Sequence, residues 1–122
     1  MKKNILGLLF IFMLGGFINT LAAQTNTVHL EQTEGEFTIQ SLTLEEGTYV
    51  FEIENNGVDH EVGFVLAPKG MTDEAHHIKE AYVKETVKEG KTSMTSEVTL
   101  KKGEYVYFCP LNPTPQYTLI VK

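Results

Sequence analysis

Two side chains in this chain of 122 residues carry the types that soft-ligand or nucleophilic chemistry needs: the lone cysteine, Cys109, and His60. Cys109 closes an aromatic run from Glu104 and opens a loop that holds Pro110, Pro113 and Pro115. His60 follows the Asn56-Gly57 turn and precedes the apolar run Val62 to Leu66. A thiolate and an imidazole at the ends of different strands form a donor pair that selects copper or zinc over magnesium or calcium. The prolines stiffen the loop by removing freedom from the unfolded chain. A stiff site rearranges little between oxidation states, which suits electron transfer.

A Cys–His pair also makes a thiol nucleophile in some enzymes. Here no orienting third group or oxyanion site is visible, and Pro110 removes an N–H that often serves there. Phosphate loops, paired acids and dinucleotide motifs are absent. The expectation is a protein that is not an enzyme. A single cysteine excludes an internal disulfide framework and any multi-cysteine zinc site. The formal charge of −6 disfavours nucleic acid as a partner.

The elements that must position the pair read mostly as strands. Thr27 to Gln32, Glu36 to Gln40 and Thr48 to Asn55 alternate or are rich in β-formers, with turns at Glu45-Glu46-Gly47 and Asn55-Asn56-Gly57. Val62 to Leu66 reads as a strand buried on both faces. Ile78, Ala81 and Tyr82 then fall at helical spacing. They predict one amphipathic helix over about Glu74 to Glu89, with Thr72 or Asp73 as its cap and Gly90 as its end. Met94 to Leu100, Glu104 to Cys109 and Tyr117 to Val121 return to strand patterning. Short strands with frequent turns and one short inserted helix predict an all-β fold, an antiparallel Greek-key β-sandwich. His29 is read as a surface residue, and the neighbours His76 and His77 as residues on adjoining faces of the helix, about 100° apart.

Residues 1–23 read as a secretory signal. Lys2 and Lys3 precede the apolar run Ile5 to Phe12, and Thr20-Leu21-Ala22-Ala23 offers small residues for cleavage. The apolar stretch is shorter than the ~20 residues of a membrane span. The expected product is an exported, periplasmic or extracellular domain over residues 24–122, with no membrane span after cleavage. Loss of the two leader lysines takes the formal −6 to −8, a balance that favours a basic protein partner. In an oxidising compartment an unpaired thiol must be buried or occupied.

Asn55-Asn56-Gly57-Val58-Asp59-His60-Glu61-Val62-Gly63-Phe64-Val65 resembles the first-ligand segment of the plastocyanin and amicyanin group of cupredoxins, the type 1 blue copper proteins. Glu97 to Pro110, ending Tyr107-Phe108-Cys109-Pro110, is similar to their cysteine-bearing hairpin. The resemblance implies a cupredoxin-like sandwich that binds one copper ion per chain and carries single electrons to a redox partner protein. It also implies His60 and Cys109 as ligands. The family's second histidine and weak axial ligand follow the cysteine. At those places this chain has Asn112 and Gln116, and no histidine follows Cys109.

Three completions stay open. Copper binds through His60, Cys109 and Gln116 in an altered geometry, or His76 or His77 supplies the missing imidazole, or the scaffold has lost its metal. The corresponding rivals to an electron carrier are a copper carrier or chaperone, which an incomplete ligand set suits, and a metal-free β-sandwich that binds proteins.

Overall fold

A computed structural model describes residues 25–122, so the expected leader at 1–23 lies outside the described residues. The strands are β1 (Thr25–Thr33), β2 (Glu36–Phe37), β3 (Ser41–Leu44), β4 (Gly47–Asn55), β5 (Val65–Pro68), β6 (Thr92–Met94), β7 (Val98–Leu100), β8 (Gly103–Phe108) and β9 (Tyr117–Val121). One sheet has the order β2-β1-β4-β6, with β7 also paired to β4; the other has the order β3-β9-β8-β5. Alternation assigns the faces. Tyr49, Phe51, Ile53 and Asn55 of β4 point inward, as do Tyr117, Leu119 and Val121 of β9.

The expected two-sheet sandwich is therefore present, with two differences from the sequence reading. Most pairings are antiparallel, but β1 runs parallel to β4 from Thr25↔Thr48 to Gln32↔Asn55, and β3 runs parallel to β9. Both parallel pairs join strands brought together by long connections, which a hairpin-based reading does not reach.

The second difference is the helix. In place of a helix over Glu74 to Glu89 there are two short 3-10 turns, Glu74–His76 and Lys79–Ala81. The backbone of this segment finds its partners across the fold. Ile78 N–H donates to the Leu66 carbonyl at 2.8 Å, and Val62 and Val87 exchange bonds of 3.0 and 2.8 Å. Val83 bridges Thr95. Asp73 makes no side-chain cap; its carboxylate pairs with His76 Nδ1 at 2.8 Å. Local helical spacing loses here to long-range β contacts that β-branched Val83 and Val87 favour.

The core is centred on aromatic rings. Phe37, from the two-residue strand β2, is fully buried and meets Tyr107 at 5.2 Å, Tyr117 at 5.6 Å and Phe64 at 6.1 Å, all edge to face. Tyr117 OH accepts from Phe37 N–H at 3.2 Å, and Tyr107 OH donates to the Ile39 carbonyl at 2.6 Å. Burial pushes the Tyr107 phenol up to about 12, so it stays protonated.

The sandwich has two unlike ends. Thr25, the β3–β4 turn and Lys122 meet at one: Thr25 pairs with Thr48, and Glu46 N–H donates to the Lys122 carbonyl at 3.3 Å. The end of β4, the β1–β2 turn and the loop after Cys109 meet at the other.

On the outer face, exposed His29 lies between two carboxylates, with Nδ1 3.2 Å from Glu52 and Nε2 3.0 Å from Glu54. The hydrogen bond to Glu52, helped by Glu54, raises its pKa above the ordinary value despite the opposing effect of burial. A raised folded-state pKa contributes stability below the unfolded value of about 6.5, and that contribution is lost as pH rises through the folded value. The denaturation midpoint is expected to fall modestly from pH 6 to pH 8. In His29→Gln that part of the pH profile is expected to flatten. A His29 midpoint at or below 6.5 by NMR titration would contradict it.

Candidate metal centre

Cys109 follows β8, and the two-residue period places it on the same inward face as Tyr107; both are fully buried. The loop after it has few donors, because three of its residues are prolines. Thr114 compensates. Its hydroxyl accepts from Cys109 N–H at 2.9 Å and donates to the Pro115 carbonyl at 2.9 Å, while its own N–H donates to the Cys109 carbonyl at 3.1 Å. Both backbone polar groups of Cys109 are thus held by one residue. The sulfur receives a third restraint, an N–H from Gly63 at 3.2 Å. Gly63 belongs to the β4–β5 connection, so this bond ties the His60 segment to the Cys109 loop.

His60 is positioned by Asn55, the buried last residue of β4. Asn55 Nδ2 donates to the carbonyls of His60 at 2.9 Å and Val87 at 3.0 Å, and its Oδ1 accepts from Val58 N–H at 2.8 Å. Gly57, at φ +87°, completes the turn in a conformation that glycine adopts freely. The His60 ring is exposed, with Nδ1 3.1 Å from the Glu61 carbonyl. A carbonyl only accepts, so this bond places the proton on Nδ1 and leaves Nε2 with a free lone pair in the neutral ring. No hydrogen bond joins His60 to Cys109 among the described residues; Gly63 is the link between their segments.

The other candidates are engaged elsewhere. Asn112 is buried: its Nδ2 donates to Gln32 Oε1 at 3.1 Å and the Thr33 carbonyl at 2.8 Å, and its Oδ1 accepts from Gly35 N–H at 2.8 Å. Exposed Gln116 makes one long contact, 3.5 Å from Nε2 to Thr72 Oγ1. His76 is exposed against Asp73, whose carboxyl it holds below the usual range. His77 is half-buried and uses both ring nitrogens, on Tyr82 OH at 2.8 Å and the Thr72 carbonyl at 2.9 Å. Its ring stands edge-on to Phe108 and lines an apolar cleft of about 380 Å³ with Gly63, Phe64, Tyr82, Pro110 and Leu111.

Among the described residues no three of His, Cys, Asp and Glu form a group able to hold a metal ion. The donor chemistry fits a thiolate-led, low-coordinate site for a soft ion, with a sulfur already receiving an N–H and an imidazole whose other nitrogen is fixed by a carbonyl. It does not fit a closed set with a second imidazole after the cysteine, because Asn112 stands there and is committed to protein partners, and His77 uses both its ring nitrogens.

The sequence reading missed Thr114 and Gln32. Thr114 had a signal, as the one residue with both a hydroxyl and an N–H between two prolines. Gln32 also had one: it falls on the inward positions of β1, after Val28 and Leu30.

A family model described as a cupredoxin-like domain matches residues 5–121. Among solved structures, auracyanin A, a "blue" copper protein from the green thermophilic photosynthetic bacterium Chloroflexus aurantiacus, is similar with a TM-score of 0.66 and 16% identity, over 81% of this chain and 100% of that one. An azurin from the obligate methylotroph Methylomonas sp. strain J is similar at 0.55 and 15%, over 79% of this chain and 97% of its own. Amicyanin from Paracoccus versutus gives 0.51 and 18%, over 79% and 81%. At these identities the likeness is one of fold. No curated protein matches in sequence.

Proposed function

The chain belongs to the cupredoxin-like family, and from that premise we propose that it is an exported copper-binding protein acting as a one-electron carrier, with one copper ion per chain and a reduced donor set. Cys109 and His60 are the strong donors and Gln116 the weak one; Asn112, His76 and His77 are left to their protein partners. Copper, when bound, supplies the one-electron couple. The chain's own residues hold the donors still: Gly63 bonds the sulfur, Thr114 holds the Cys109 backbone, and Asn55 fixes the backbone at His60. The carrying observation is the buried Cys109 Sγ with the Gly63 N–H aimed at it, an arrangement that fixes the sulfur and supplies the kind of outer hydrogen bond that orients a metal-ligating side chain.

Residues 1–23 are the leader and 24–122 the working domain, in the periplasm or outside the cell. No helix among the described residues is long and apolar enough to cross a membrane. The acidic mature domain suits a redox partner protein with a basic docking face, and no enzymatic step is assigned.

A second reading, a Cu(I) carrier or chaperone, is favoured by a donor set led by one thiolate and one imidazole, since Cu(I) accepts few soft ligands. Visible absorption separates the two. An intense thiolate-to-Cu(II) band is expected of the electron carrier, and tight colourless Cu(I) binding of the chaperone. In either case a ligand that binds only the folded state raises thermal stability, by about 2.7 kcal/mol at a hundredfold excess over Kd. An unmoved melting temperature under copper excess leaves the third reading, a metal-free protein-binding module.

A further inference from the structure

The polar groups in this core are few: Gln32, Asn55, Thr95 and Asn112 are the buried polar residues among those described. Gln32 and Asn112 bond to each other across 80 positions of sequence, at 3.1 Å. Their remaining bonds reach two segments, the β4–β5 connection and the β1–β2 turn. Gln32 Nε2 donates to the Gly63 carbonyl at 2.7 Å, and Asn112 reaches the Thr33 carbonyl and Gly35 N–H, both at 2.8 Å. Gly35, at φ +77°, turns its N–H to that oxygen in a backbone conformation that other residues rarely adopt. A buried amide carries a desolvation cost that an apolar residue of the same size does not. A satisfied network in its place rigidifies what it joins.

What it joins is the surroundings of the sulfur. Gly63 is bonded on both sides: its carbonyl accepts from Gln32 and its N–H donates to Cys109 Sγ. Asn112 lies in the same loop as Cys109 and anchors that loop to the β1–β2 turn. We propose that Gln32 and Asn112 are positioning residues for Cys109: the amide pair holds Gly63 and the cysteine loop in register, so the N–H is aimed at the sulfur before any metal arrives. The pair ties together by hydrogen bonds what a second imidazole would tie through a metal. This deepens the reading of Cys109 as a metal ligand and rests on it for its purpose, but the geometry it describes is made by the chain's own atoms.

The test uses metal-free mature protein and two variants. Gln32→Met keeps the volume close to that of glutamine and removes the bonds to Gly63 and Asn112. Asn112→Ala removes the loop anchor and leaves the Gln32–Gly63 bond in place. Amide hydrogen exchange by NMR reads Gly63 and Gly35 against core amides of β9, and iodoacetamide reads access to Cys109. In Gln32→Met the protection of Gly63 is expected to fall at least tenfold relative to the β9 amides, and Cys109 alkylation to accelerate at least tenfold. In Asn112→Ala the Gly35 amide is expected to lose protection and Cys109 alkylation to accelerate likewise. Unchanged Gly63 protection and thiol reactivity, or an equal loss at Gly63 and β9, overturns the proposal, since the pair would then support only the fold as a whole. If one variant does not fold, the other decides alone. Failure of copper to bind the wild type would strike the metal reading and leave these metal-free results unaffected.

Discussion

Replacing Cys109 with alanine is expected to lower copper affinity by at least a hundredfold while leaving a folded domain. The sulfur is the one thiol in the chain, and Cu(II)-thiolate chemistry depends on it. The structural cost is moderate. The side chain is fully buried, so its truncation leaves a cavity worth about 1–2 kcal/mol and deprives the buried Gly63 N–H of its acceptor at about 1–3 kcal/mol, while the bonds Thr114 makes are to the backbone and survive. Metal analysis of wild type and variant, loaded side by side and desalted, reads the difference directly. His60→Ala is the companion measurement and is expected to weaken binding less. Copper retained at wild-type stoichiometry in Cys109→Ala would remove the thiolate from the site and with it the electron-carrier reading.

Phe37→Ala is expected to be the most damaging single truncation, costing on the order of 3–5 kcal/mol. Its strand is two residues long, yet the ring fills the space between Phe64, Tyr107 and Tyr117. Each edge-to-face pair adds about 0.5–1.5 kcal/mol beyond the buried area, and Phe37 makes three of them. For a domain of this size the melting temperature is expected to drop by about 20 °C. Urea denaturation checks it, and a loss below about 1 kcal/mol would mean that the ring's place is refilled without strain.

The strands that carry the site were legible because period-two alternation is a local property. Tyr49, Phe51 and Ile53 declare their face within nine residues, and the run into Cys109 declares that the sulfur points inward. The segment from Glu74 to Glu89 was misread for the same reason. Ile78, Ala81 and Tyr82 hold helical spacing, and nothing nearby reveals that Leu66 takes the Ile78 N–H or that Val62 and Thr95 pair with Val87 and Val83. The amide pair lies beyond local reading altogether. Asn112 was conspicuous only as the residue where a histidine was expected, and its partner Gln32 lies in the first strand. A hydrogen bond between them has no periodicity to announce it. The position of His60 was legible, and so was its turn; which way its ring points depends on the Glu61 carbonyl, a detail that side-chain type does not encode.

The end of the sandwich where Thr25 pairs with Thr48 and Lys122 is bonded by Glu46 lies away from the cysteine loop. Any leash spliced on before Thr25 or after Lys122 therefore leaves from the end of the sandwich opposite the cysteine loop. A fusion tag, a surface graft or a tandem neighbour attached there should leave that loop's reach unobstructed, and a domain immobilised by either terminus would present the same face to whatever diffuses past.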